Sequence, residues 1–195
     1  MNRPRLAVLA SGGGRSLENL AAQSRSGDLD VDLVLVIADR ASAGVLQRAE
    51  RLGIENRLIL YSGHESPEAY AKAVFEVVES FECQVVVLAG FLRLLLPPED
   101  WIGRVINIHP SLLPKYGGKG YYGEHVHRAV IAAGEKESGC TVHFVDHQYD
   151  HGDQILQRRI SLFDNETPDS LAARVFEEEK LALPEAIRRV LAGLG

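Results

Sequence analysis

Asn107 and His109 stand two residues apart in the run Val105-Ile106-Asn107-Ile108-His109, directly before Pro110. An amide and an imidazole interrupt a stretch that Val and Ile would fill without any polar group to satisfy. Side chains alternate along a strand, so Asn107 and His109 share one face, with Cα atoms about 6–7 Å apart. That gap suits one reacting group held between an amide donor and an imidazole. Such a pair can stabilise charge on a carbonyl oxygen and move a proton. An imidazole used this way needs a carboxylate to orient it or balance its charge. The turn near Tyr149–Gly152 offers Asp146, Asp150 and Asp153, and nothing local selects among them.

A second candidate is the turn Ser11-Gly12-Gly13-Gly14-Arg15-Ser16. It follows an apolar run and precedes a helical pattern, so Gly14, Arg15 and Ser16 bring free backbone N–H groups to a helix N-terminus. That is a site for a phosphate. The turn is not a P-loop, because no Lys-Ser/Thr pair follows. It matches the dinucleotide fingerprint only in part, with Leu17 at the third glycine position and Asp39 as the nearest ribose candidate. A third candidate is Gly90–Pro97 (GFLRLLLP), an apolar slot suited to a flat heterocycle.

Other chemistries find little support. His125 and His127, on a stretch read as strand-like, would share a face, and His109, His143, His147 and His151 are further imidazoles. No His-Glu-x-x-His pattern or cysteine cluster accompanies them, so no metal site is expected. No Gly-x-Ser-x-Gly elbow occurs. Cys83 and Cys140 are isolated and read as buried thiols. The formal charge of −6 argues against a nucleic-acid partner. The first apolar stretch is too short for a signal-peptide core and no run is long enough for a membrane span, so a cytoplasmic protein with small-molecule partners is expected.

These residues need a scaffold. Strands are predicted at Arg5–Ala10, Val31–Ala38, Arg57–Leu60, Val85–Ala89 and Val105–His109, with helices at Ser16–Ser24, Ala43–Leu52 and Pro67–Glu82 between the first four. Uninterrupted apolar strands such as Val85–Ala89 suit a parallel sheet covered on both faces. Further on come a helix at Val126–Ala133, strands at Cys140–Val145 and Gln154–Ile160, and a long helix at Pro168–Leu191 that Pro184 should kink or break. The expected fold is one Rossmann-like, doubly wound α/β domain over 1–195, mostly parallel, with antiparallel strands in its C-terminal half. Residues 1–100 would form the phosphate-binding half and 101–195 the catalytic half.

NIHPSLLPKYGG, then SGCTVHFV and YDHGDQILQ, together with SGGGRSLENL, resemble the formyltetrahydrofolate-dependent formyltransferase family from Leu6 to about Leu191. The resemblance implies formyl transfer from 10-formyltetrahydrofolate, as co-substrate, to a primary amine. The glycine turn points within the family to glycinamide ribonucleotide, the purine-synthesis acceptor, with a formyltetrahydrofolate deformylase or another amine formyltransferase of the family as the alternative. It implies catalytic roles for Asn107, His109 and Asp150, selecting Asp150 from the three aspartates, with His109 protonated and held so by Asp150. It implies phosphate and ribose contacts from Gly14, Arg15, Ser16 and Glu179. The folate pocket would use Leu92, Arg93, Leu94, Leu95, Val145, Asp146 and His147. No metal is implied, and the chain would act as a monomer or homodimer. Three departures stand out: Arg15 at a position often small and polar, a longer loop GGKGYYGEHVH, and Asp153, whose charge would raise the pKa of Asp150.

Overall fold

The structure, a computed structural model, describes residues 3–194. The ends of the expected 1–195 domain, Met1, Asn2 and Gly195, lie outside the described residues. Seven strands form one sheet: β1 (Arg5–Ala10), β2 (Asp32–Ala38), β3 (Glu55–Leu58), β4 (Val85–Ala89), β5 (Val105–His109), β6 (Glu137–Phe144) and β7 (Gln154–Ser161). Their order is β3-β2-β1-β4-β5-β6-β7. The first five run parallel, β6 pairs antiparallel with β5, and β7 pairs antiparallel with β6. This is the doubly wound, mixed sheet expected. The helices are α1 (Arg15–Ser26), α2 (Val45–Leu52), α3 (Pro67–Ser80), α4 (Glu124–Ala132) and α5 (Pro168–Gly193).

Strand β1 shows why its sequence is uniformly apolar. Leu6, Val8 and Ala10 enter one core with α1, α2, α4 and α5, while Ala7 and Leu9 enter a second core with α3 and Trp101. Helices α1 and α2 carry the chain outward to β3. Helix α3 returns it to β4 over the opposite face, so the winding reverses between β1 and β4. Open α/β sheets bind ligands at the carboxyl ends of the strands flanking such a reversal. Two bonds tie those ends together: Ser11 N donates to Gly90 O (2.9 Å), and Leu92 N donates to Ser11 Oγ (2.9 Å).

Three expectations need correction. Strand β3 lies two residues earlier than predicted, because it is an exposed edge strand whose register, Leu35 opposite Glu55, follows β2 rather than its own hydrophobic pattern. Strand β6 begins at Glu137 because β7 pairs with it from that point. Helix α5 continues unbroken through Pro184. A proline cannot donate to the carbonyl four residues earlier. Here that carbonyl, Lys180 O, instead accepts from Asn19 Nδ2 (3.0 Å) and Gln23 Nε2 (3.2 Å) of α1. The residue that should have interrupted α5 therefore docks it to α1.

Candidate active site

Asn107 and His109 both project from the end of β5, and the antiparallel register sets His143 of β6 opposite Asn107. Asn107 Nδ2 donates to His143 Nε2 (3.0 Å) and to Asp150 Oδ1 (3.2 Å). His143 Nδ1 donates to the Phe144 carbonyl (2.7 Å), which leaves Nε2 as an acceptor. Asp150 Oδ2 accepts from Gly118 N (2.9 Å) and lies 3.4 Å from His109 Nδ1. The other ring nitrogen of His109, Nε2, donates to Tyr116 O (2.7 Å).

Two of these groups sit on strained backbone. Asp150 and Tyr116 have φ of 51° and 55°, a region that residues other than glycine seldom occupy. Neighbours hold both in place. Thr141 Oγ1 donates to Ser111 O (2.7 Å) and accepts from Leu113 N (3.1 Å). Gln154 and Gln157 both donate to Leu113 O, and Ser111 Oγ donates to Lys115 O (2.7 Å). The proline-rich loop is thereby fixed so that the Tyr116 carbonyl meets His109. Gly152 packs so closely on the Phe144 carbonyl that a Cβ would overlap it.

Burial pushes the Asp150 carboxyl up, but His143, the His109 ring and the Gly118 N–H outweigh it and hold it below its usual value. Asp153 is exposed and does not act on it, so the rise expected from a neighbouring like charge does not occur. His109 also departs from expectation. Burial lowers its pKa more than Asp150 and the Tyr116 carbonyl raise it. The ring is therefore neutral at pH 7, not held protonated. With Nε2 donating, Nδ1 presents a lone pair toward the Asp150 carboxylate, so the pair can accept one proton.

The second candidate opens into the same space. A cleft of about 920 Å³ runs from Gly12–Ser16 past Phe176 and Glu179 to Asn107, His109 and Asp150. Gly14 caps α1 with φ 83°, and a Cβ there would stand 2.7 Å from Val45 Cγ2. Only glycine fits, and α1 can then point its first N–H groups into the cleft. The Arg15 guanidinium stacks on the Phe176 ring, 3.9 Å from its centre. Burial pushes the Glu179 carboxyl up to about 7, with Arg15 opposing.

Comparison with known proteins places this arrangement. The formyl transferase family model matches residues 4–187. The chain belongs to the formyl transferase family. It is 35% identical to the phosphoribosylglycinamide formyltransferase of Escherichia coli (strain K12), over 93% of this chain and 84% of that protein. It is 39% identical to the trifunctional purine biosynthetic protein adenosine-3 of Drosophila melanogaster, over 98% of this chain. The chain spans only 14% of the length of that insect protein and 19% of its Gallus gallus counterpart. Among solved structures, the glycinamide ribonucleotide transformylase 1 of Symbiobacterium toebii superposes with a TM-score of 0.88 at 36% identity, covering 95% of this chain and 86% of that one.

Within this formyl transferase, the remaining expected residues are dispersed. Leu92 and Arg93 line the cleft, beside Gly90 and Phe91. Arg93 Nε also donates to Asp39 Oδ2 (2.9 Å), so Asp39 is a buried partner of arginines rather than a ribose ligand. Leu95 and Val145 are buried in the core on the α3 side. Leu94, Asp146 and His147 do not line the cleft. Asp146 Oδ2 accepts from His151 Nδ1 (2.6 Å), and His147 Nε2 donates to Pro97 O (2.9 Å). His125 and His127 lie on helix α4 instead of a strand, so residues two apart diverge: His125 is exposed and His127 is buried in the cleft wall. Among the described residues no group of three or more His, Cys, Asp or Glu could hold a metal ion, and no helix is long and apolar enough to cross a membrane. Both thiols are free and buried, with burial pushing Cys83 up to about 11 and Cys140 to about 12.

His143, Tyr116 and Gly118 were not among the site residues expected from sequence. The first enters through strand register and the other two through backbone atoms. Only His143 left a trace in the sequence, as a polar residue within the strand SGCTVHFV.

Proposed function

We propose that this formyl transferase moves the formyl group of 10-formyltetrahydrofolate to the primary amine of glycinamide ribonucleotide, a step of purine synthesis. The observation that carries the reading is the single cleft joining the glycine-capped N-terminus of α1 to the Asn107–His109–Asp150 cluster. One end suits a phosphate, the other a carbonyl under attack by an amine. The similarity to the E. coli enzyme supports the same acceptor. Incubation with 10-formyl-5,8-dideazafolate and the nucleotide tests it: the folate should lose its formyl group only when the nucleotide is present.

In this reading the phosphate rests on the backbone at Gly14, Arg15 and Ser16, and the ribose hydroxyls meet Glu179. The heterocycle of the folate enters beside Leu92 and Arg93. The uncharged amine attacks the formyl carbon and a tetrahedral oxyanion forms. Asn107 and His109 stabilise it. Both Asn107 hydrogens are bonded to His143 and Asp150, so one must be redirected to the oxyanion as it forms. The new negative charge raises the affinity of His109 for a proton, offsetting the burial that keeps it neutral. Asp150, ionised, takes the amine proton with His109 and returns it to the departing folate nitrogen. The step needs no covalent enzyme intermediate. The reading takes the chain as cytoplasmic, acting as a monomer or homodimer on small molecules.

A further inference from the structure

Among the described residues, three buried side-chain atoms have no hydrogen-bonding partner: Tyr70 Oη, His127 Nδ1 and Ser138 Oγ. Of the three residues, only His127 lines the large cleft. It is 4% exposed and has Val126 and Val130 as buried neighbours on α4. A buried nitrogen without a partner costs about 1–3 kcal/mol, a cost that leucine would not carry. Packing alone therefore gives no reason for an imidazole here.

Its position does give one. The N-terminal end of α4 opens on the cleft through Gly123 and Glu124. The helix packs against α5, which carries Phe176 and Glu179 on the same cleft. His109 is close enough for its charge to act on the ring. The ring thus stands in the cleft wall within reach of the charge of His109, on a helix that packs against the one carrying Glu179.

We propose that His127 binds the amide of the acceptor's glycinamide arm and so determines which amine is presented to the formyl carbon. This rests on the reading above, in which the nucleotide runs from the phosphate turn past Glu179 to Asn107 and His109. The segment between ribose and amine is one amide, with one carbonyl acceptor and one N–H donor. The two imidazole nitrogens point to opposite sides of the ring and Nδ1 is sealed from the cleft, so the ring makes one bond to that amide, through Nε2. Burial lowers the His127 pKa to about 4. It is therefore too weak a base to take the proton of an ammonium alpha to a carbonyl, whose pKa is about 8. Its role is to bind and orient the acceptor, while proton transfer stays with Asp150 and His109.

The test uses H127L and H127Q beside the parent, with steady-state kinetics on both substrates and thermal unfolding of each protein. For H127L the two readouts should move in opposite senses. It should melt at or above the parent temperature, because an unpaired polar atom is gone, while its KM for the nucleotide rises about tenfold, the worth of one lost hydrogen bond. The KM for the folate should not change. H127Q keeps a donor and an acceptor and should recover part of the nucleotide affinity. A nucleotide KM unchanged in H127L, or an equal rise in both KM values, overturns the inference. Should H127L fail to fold, H127M carries the same test. If the parent does not turn over the nucleotide at all, the functional reading falls and this inference with it. If the parent turns over and H127L keeps its KM, only this inference falls.

Discussion

Asp150 is the residue on which the site converges, with contacts to Asn107, His109, His143 and Gly118 around one carboxylate. An Asp150→Asn variant should lose about 10²–10⁴ in kcat, the usual worth of a positioned acid or base. Its KM values should change little, and wild-type-like turnover would remove Asp150 from the proton path. Glu179 gives a pH signature. Burial pushes its carboxyl up to about 7, and under the proposed function the ionised form accepts better from ribose hydroxyls. The nucleotide KM should fall between pH 6 and 8, and Glu179→Gln should flatten that dependence. Arg15 stacks on Phe176, so Arg15→Ala should raise the nucleotide KM less than about tenfold; a larger rise would mean that its guanidinium supplies a full charge-assisted bond.

At the scale of elements, two glycines separate binding from chemistry. Gly14 is confined by φ 83° and by Val45, so Gly14→Ala should misplace the first turn of α1 and act on the nucleotide KM. A Cβ at Gly117 would overlap Leu113 and stand 3.2 Å from Asp150 Cβ. Gly117→Ala should therefore lower kcat with little effect on nucleotide KM, and the reverse pattern would contradict this division. The elements also show what sequence can reveal. Strands β1, β4 and β5 match their predicted limits, because each has a side-chain pattern set by two buried faces. Edge strand β3 and the start of β6 depend on a neighbour's register, which no local pattern records. Pro184 misled for a related reason: its cost is met by Asn19 and Gln23, far away in sequence. The pairing of His143 with Asn107 was hidden in the same way, although Asn107 and His109 themselves stood out as polar interruptions of an apolar strand.

For the whole molecule, buried neutral histidines make stability depend on pH. Burial lowers the folded pKa of His127 to about 4 and places that of His109 below 6.5. The unfolded chain then binds more protons at these two rings, so their contribution to stability should rise as pH increases from about 4 to 6.5, while Glu179, its folded pKa raised to about 7, binds the extra proton in the folded state and opposes that rise from about 4.5 to 7. Asp150, held below its usual value, adds a further loss only as pH falls below about 3.8. Melting temperatures measured from pH 4 to 8 would check this. H127L should weaken the slope, and an unaltered slope would mean that His127 is not the buried neutral group described. The one cleft uniting a phosphate turn with an amide–imidazole–carboxylate cluster remains the central claim. Its most direct test follows the absorbance of 10-formyl-5,8-dideazafolate with purified protein, with and without glycinamide ribonucleotide. Loss of the formyl group only with the nucleotide is the result predicted. Formate release without it would point to a deformylase, and no reaction in either case would contradict the assignment of this cleft to that acceptor.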